Sequence, residues 1–252
     1  NMNISGESFD YGPYRFLPHY DPYFTAAYFD HDGLYCFGRQ PPSFLWNLDQ
    51  LRQALLFAQP DADLTFLEDR FSLYFNTFFS ARFLKKLNLK PMTTTSIATL
   101  FSNLAPDYYD ESDICPIDTS SVNLESIQEI ATTDFFANTQ TLIENFFHDI
   151  RSDQTHDKHK SFENAFKEIL NWSSHNYNPS DHRLSDKVAS ATDYFSKSTL
   201  NQISANFIPN HTLANKQINL RKQTLLIDEI ESIWNEISND NNWNTLHKKI
   251  KK

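Results

Sequence analysis

The sequence predicts a mainly α-helical protein, preceded by a short segment of loop and strand. Two observations carry this expectation. All four glycines lie within the first 38 of 252 residues, at Gly6, Gly12, Gly33 and Gly38. From Pro42 onward, apolar residues recur three and four positions apart, the repeat of a helix that buries one face. At the ordinary usage of roughly 7%, about 15 glycines would fall in the remainder of the chain, which has none. A glycine-rich phosphate loop or a strained nucleophile elbow is thereby excluded beyond Gly38.

Residues 1–43 form one region, holding all the glycine and five of the 11 prolines. It reads as turns and ordered loop, with Leu34-Tyr35-Cys36-Phe37 as a short strand between Gly33 and Gly38. Residues 44–252 form a helical lobe with a C-terminal helical extension. Leu45, Leu48, Leu51 and Leu55 mark its first helix, with Ser43 as N-cap. Leu64, Leu67, Phe71, Phe75, Phe78 and Phe79 mark a single long helix that ends near Leu89, ahead of Pro91. The Phe71 to Phe83 stripe reads as core, and so does Trp46. Residues 93–104 predict a short helix, and the acidic stretch Asp107 to Ser121 a loop. Asn123 caps a helical stretch to Ile150, broken near Thr132-Thr133. Ser152 to Lys160 reads as a surface loop. Further helices are expected around Phe162 to Leu170, within 185–205, and from Pro209 through Ile218, Leu225, Ile230, Trp234 and Ile237.

With 22 basic and 32 acidic side chains, the net charge is −10, which argues against a nucleic-acid partner. No apolar run is long enough to span a membrane, and no membrane partner is expected. Cys36 and Cys115 stand in no metal or redox spacing, and so few cysteines suit a reducing compartment.

The strongest local signal is Asp10-Tyr11-Gly12. An Asp-aromatic-Gly triplet is similar to the metal-binding motif of kinases, where the carboxylate holds Mg²⁺ against nucleotide phosphates and an upstream Asn adds a second ligand. Asn1 lies nine residues before Asp10, a separation a hairpin could close. An amide carbonyl and a carboxylate supply the hard oxygens that Mg²⁺ prefers. The alternative is a turn in which Asp10 caps the backbone ahead of Gly12-Pro13. His156 and His159 form an H-x-x-H pair, but Lys158 and Lys160 oppose a cation there, so a solvated loop is expected. His19 is expected to be a packed turn residue. Arg15 suits either phosphate contact or a structural ion pair.

Residues 1–22, NMNISGESFDYGPYRFLPHYDP, resemble the selenoprotein O (YdiU-type) family. The likeness continues through Asp30, Asp32-Gly33, Tyr35, Phe37 and Gln40-Pro41 into Leu45-Trp46-Asn47-Leu48, Leu51 and Ala54. Further on it thins. Lys85-Lys86-Leu87-Asn88-Leu89 is similar to a family Lys-Leu-Gly-Leu segment with Asn88 in place of glycine. A late segment keeps Asn215 but has Ala214 where the family has arginine.

The resemblance implies a protein-kinase-like fold, of which this chain would be the C-lobe and helical extension. It implies an enzyme that transfers AMP from ATP to hydroxyl side chains of protein substrates. Mg²⁺ or Mn²⁺ would be held by Asn1 and Asp10, and Asp10 would also meet the nucleotide. The resemblance places the general base, the nucleotide-binding lysine and the phosphate-contacting arginines upstream of Asn1. The chain is therefore expected to be part of a longer protein and inactive alone. Family membership further implies the cytoplasm of a bacterium or a mitochondrion. A redox-control cysteine of some members aligns with Ala26, so that control is not expected here. The rival reading is a catalytically inactive helical interaction module that keeps the fold.

Overall fold

A computed structural model describes residues 17, 19–26, 29–105, 122–151, 162–178, 183–184, 194–210 and 227–250. The chain divides into two compact units: Asn1–Ser43 with Ile218–Lys252, and Phe44–Gln217.

The described part is mainly helical, in agreement with the sequence. Helix α1 spans Gln40–Ala58. It begins earlier than expected, because Pro41 and Pro42 sit in its first turn, where missing N–H groups cost nothing. Ser43 is inside the helix and donates to the Leu34 carbonyl at 2.9 Å, so it is not the N-cap. The single long helix expected next is two pieces, α2 (Phe66–Asp69) and α3 (Phe71–Lys86). They meet at Arg70, whose φ of −90° and ψ of −23° keep the right-handed conformation. Leu64 lies outside the helix, because Asp63 accepts from both the amide and the hydroxyl of Thr65 and holds a turn there.

Helices α4 (Ser96–Asn103), α5 (Leu124–Ala131) and α6 (Asp134–Ile150) follow, then α7 (Phe162–Asn176) and α8 (Lys197–Asn206). Four of these starts have a local cause. Thr95, Asn123, Thr133 and Ser196 are N-caps, each accepting from the amide three residues on. The break at Thr132-Thr133 lies where the sequence placed it. The described parts of α9 (Ile227–Asp240) and α10 (Asn244–Ile250) belong to the other unit, where Lys249 pairs with Glu229.

The core of the Phe44–Gln217 unit forms where α3, α6 and α7 and the residue Phe195 ahead of α8 bring phenylalanines together. Phe146 on α6 is fully buried, with ring centroids 5.1 Å from Phe83, 4.8 Å from Phe166 and 5.1 Å from Phe195. These are tilted or edge-to-face packings, the geometry favoured by the ring quadrupole. Ile127, Ile130, Leu142, Ile169, Leu200 and Ile203 complete the apolar centre. The stripe from Phe71 to Phe83 is only partly core. Phe83 is buried, whereas Phe79 is 38% exposed, so the row of stacked rings runs from surface to interior. Trp46 is not core: it is 56% exposed on α1.

Polar side chains fix α8 against α6. The Asp149 carboxylate accepts from the Ser196 amide at 2.9 Å and the Thr199 hydroxyl at 2.6 Å, holding the start of α8. Asn138 donates to Asn206 and Asn145 donates to Gln202 further along the same pair.

Two short antiparallel pairs complete the unit: β1 (Leu89–Pro91) with β4 (Phe207–Pro209), and β2 (Tyr177–Asn178) with β3 (Arg183–Leu184). Leu89 is opposite Pro209 and Pro91 opposite Phe207. Asn88 makes the turn from α3 into β1. Its φ is +53°, the left-handed conformation that ends helices and favours glycine. Asparagine is the usual second choice there, which gives Asn88 a physical reason to stand in a glycine position. Its carbonyl accepts from the Asn210 amide at 2.8 Å and prolongs the β1–β4 pairing.

Candidate metal and nucleotide site

Asn1 and Asp10, the proposed metal ligands, lie outside the described residues, as do Arg15, Ala214, His156 and His159. The structure describes the segment that follows them, residues 19–26 and 29–40, which carries the family-like Tyr20-Asp21-Pro22 and Asp32-Gly33 elements.

This segment is built on carboxylates that serve its own backbone. Asp21 accepts from the Tyr23 amide at 2.9 Å, closing a turn around Pro22. Asp30 uses both oxygens, one for the Leu34 amide at 2.9 Å and one for the Tyr35 amide at 2.7 Å. These bonds overturn the expected strand at Leu34 to Phe37. The two amides that a strand ladder would need are already taken by Asp30. The chain instead makes turns and one turn of 3₁₀-helix at Phe37–Arg39, with Cys36 buried.

Two glycines have definite structural work here. Gly33 has a φ of +63°, which an L side chain rarely adopts. Gly38 lies against Pro22: its amide donates to the Pro22 carbonyl at 2.8 Å, and a Cβ on it would be 2.9 Å from the Pro22 Cβ. Phe37 donates its amide to the Phe24 carbonyl at 2.9 Å, so the two limbs of the segment are tied together twice. Tyr20 packs its ring edge-to-face on Phe37, with centroids 6.1 Å apart. Arg39 reaches the carbonyls of Asp32 and Gly33, each at 3.4 Å. His19 is half-buried.

Asp21 and Asp30 hold the backbone, which assigns them to shaping the segment. The Tyr-Asp-Pro motif by itself does not reveal these roles. The available signal was an Asp placed two to five residues ahead of amides with no helix to serve them. Among the described residues, no group of three or more His, Cys, Asp or Glu side chains could hold a metal ion.

Downstream, Leu45-Trp46-Asn47-Leu48 lies on α1. Arg52 on this helix donates to Asp49 at 2.7 Å and to Glu68 at 2.6 Å, bracing α1 on α2. The hydrogen bond from Arg52 holds the Asp49 carboxyl below its ordinary pKa, and the same bond raises that of Arg52. Asp63 is lowered by the Thr65 hydroxyl and then by the Thr65 amide. No helix among the described residues is long and apolar enough to cross a membrane.

Comparison with known proteins places the chain in a family. The family model described as "Protein adenylyltransferase SelO" matches residues 1–252. A protein named protein nucleotidyltransferase YdiU from Trichormus variabilis is 45% identical over 102 residues, which are 40% of this chain and 21% of that protein. A protein of the same name from Trichodesmium erythraeum is 60% identical over 55 residues, 22% of this chain and 12% of the relative. One from Vibrio atlanticus is 39% identical over 89 residues, 35% of this chain and 18% of the relative. The chain thus matches only part of the length of these relatives. No solved structure matches it. With the family model matched from the first residue to the last, the chain belongs to the SelO family.

Proposed function

We propose that the complete protein is a protein adenylyltransferase with a kinase-like fold. It transfers AMP from ATP to hydroxyl side chains of other proteins. The observation that carries this reading is Asp10-Tyr11-Gly12, nine residues after Asn1, inside a chain matched throughout by the SelO family model. The relatives' name, protein nucleotidyltransferase, supports it.

In the reaction, the acceptor oxygen bonds to the α-phosphorus and the bond from that phosphorus to the pyrophosphate oxygen breaks. The hydroxyl proton passes to a general base upstream of Asn1, and pyrophosphate leaves. Asn1 offers a carbonyl oxygen and Asp10 a carboxylate, a donor set suited to Mg²⁺ or Mn²⁺. When bound, the ion supplies charge neutralisation on the phosphates. Asp10 would also meet the nucleotide. The Asp21 and Asp30 turns give the backbone that follows the motif its course.

The test is Asp10→Ala in the full-length protein, with ATP labelled on the α-phosphate. Label transfer to protein should fall at least about 100-fold, the usual scale for losing an electrostatic partner of the transition state. Unchanged labelling would overturn the metal assignment, and transfer of γ-label instead would overturn AMP transfer.

A second reading, a non-catalytic interaction module, is favoured by one observation: Ala214 stands where the family has arginine. Absence of α-label transfer by the wild-type full-length protein would select it.

A further inference from the structure

We draw no further inference here: the strongest candidate, the exposed Trp46 and Phe57 patch on helix α1, is an unpartnered apolar face, and nothing in the structure shows what covers it.

Discussion

The segment of residues 19–38 and the glycine-free chain beyond it solve the same backbone problem differently. Both must turn sharply. The first uses Gly33 with φ +63° and lets Gly38 lie against Pro22. The second has no glycine, and its two positive-φ residues among those described are both asparagine: Asn88 at +53° after α3 and Asn241 at +48° after α9. Asparagine is the least costly substitute there, because its short polar side chain can bond locally. Asn241 does this, accepting from the indole of Trp243 at 2.9 Å. Asn88 does not: its buried Oδ1 has no hydrogen-bond partner among the described residues. The two regions differ in their polar groups as well. Asp21 and Asp30 replace secondary structure in the first, whereas Asn123, Thr133 and Ser196 start helices in the second.

The largest expected effect tests whether stability resides in side-chain packing on the helical side. Phe146→Ala should destabilise the protein by about 3–5 kcal/mol, as for a fully buried ring. Phe37→Ala, in the turn segment, should cost less, about 1–2 kcal/mol, because its ring is already 48% exposed. Urea unfolding of both variants gives the ratio, and equal losses would break the comparison.

Gly38→Ala reverses the ranking inside the turn segment. Its Cβ would be too close to a rigid proline ring and to the Pro22 carbonyl, at 2.9 and 3.0 Å. Overpacking of this kind costs about 1–3 kcal/mol. The loss should show as faster amide exchange at Phe37 and Gly38, whose bonds to Phe24 and Pro22 would lengthen.

Asn88 sharpens the parallel. Asn88→Ala should be less stable than Asn88→Gly by about 1–2 kcal/mol, because alanine still carries a Cβ in the left-handed region. Asn88→Gly should be neutral or stabilising, because it keeps the conformation and removes a buried carbonyl without a partner. A clear loss on Asn88→Gly in thermal unfolding would mean that the side chain contributes more than its backbone tolerance.

The smallest effect is electrostatic. Asp49 has its folded pKa lowered by Arg52, so it contributes stability above the unfolded value of about 3.9. That contribution is lost as pH falls through the folded value. Asp49→Asn should therefore be less stable than wild type at pH 7, with the gap closing below about pH 4. Denaturant midpoints at both pH values check this, and a gap that stays constant would show that Asp49 acts through something other than its charge.

Much of the helical side was legible because its signals are local. The Asn123 cap, the break at Thr132-Thr133 and the periodicity through α5 and α6 are set within four residues of chain. The turn segment was less legible, because the apolar residues at Leu34 to Phe37 look like a strand unless the use of Asp30 is known. The proposed metal ligands Asn1 and Asp10 rest on the sequence, and both lie outside the described residues.

What the sequence determined by itself was the family, the helical class, the Asn123 cap and the confinement of glycine to the first 38 residues. Only the tertiary structure decided which apolar side chains are inside. Trp46 and Phe83 both sit on helices with apolar repeats, yet one is exposed and the other buried. It also decided that Asn88 would meet Asn210 and that β1 would pair with β4. The reason is physical. Caps and helical repeats depend on neighbours within a turn, whereas burial and strand pairing depend on which distant segments arrive at the same place.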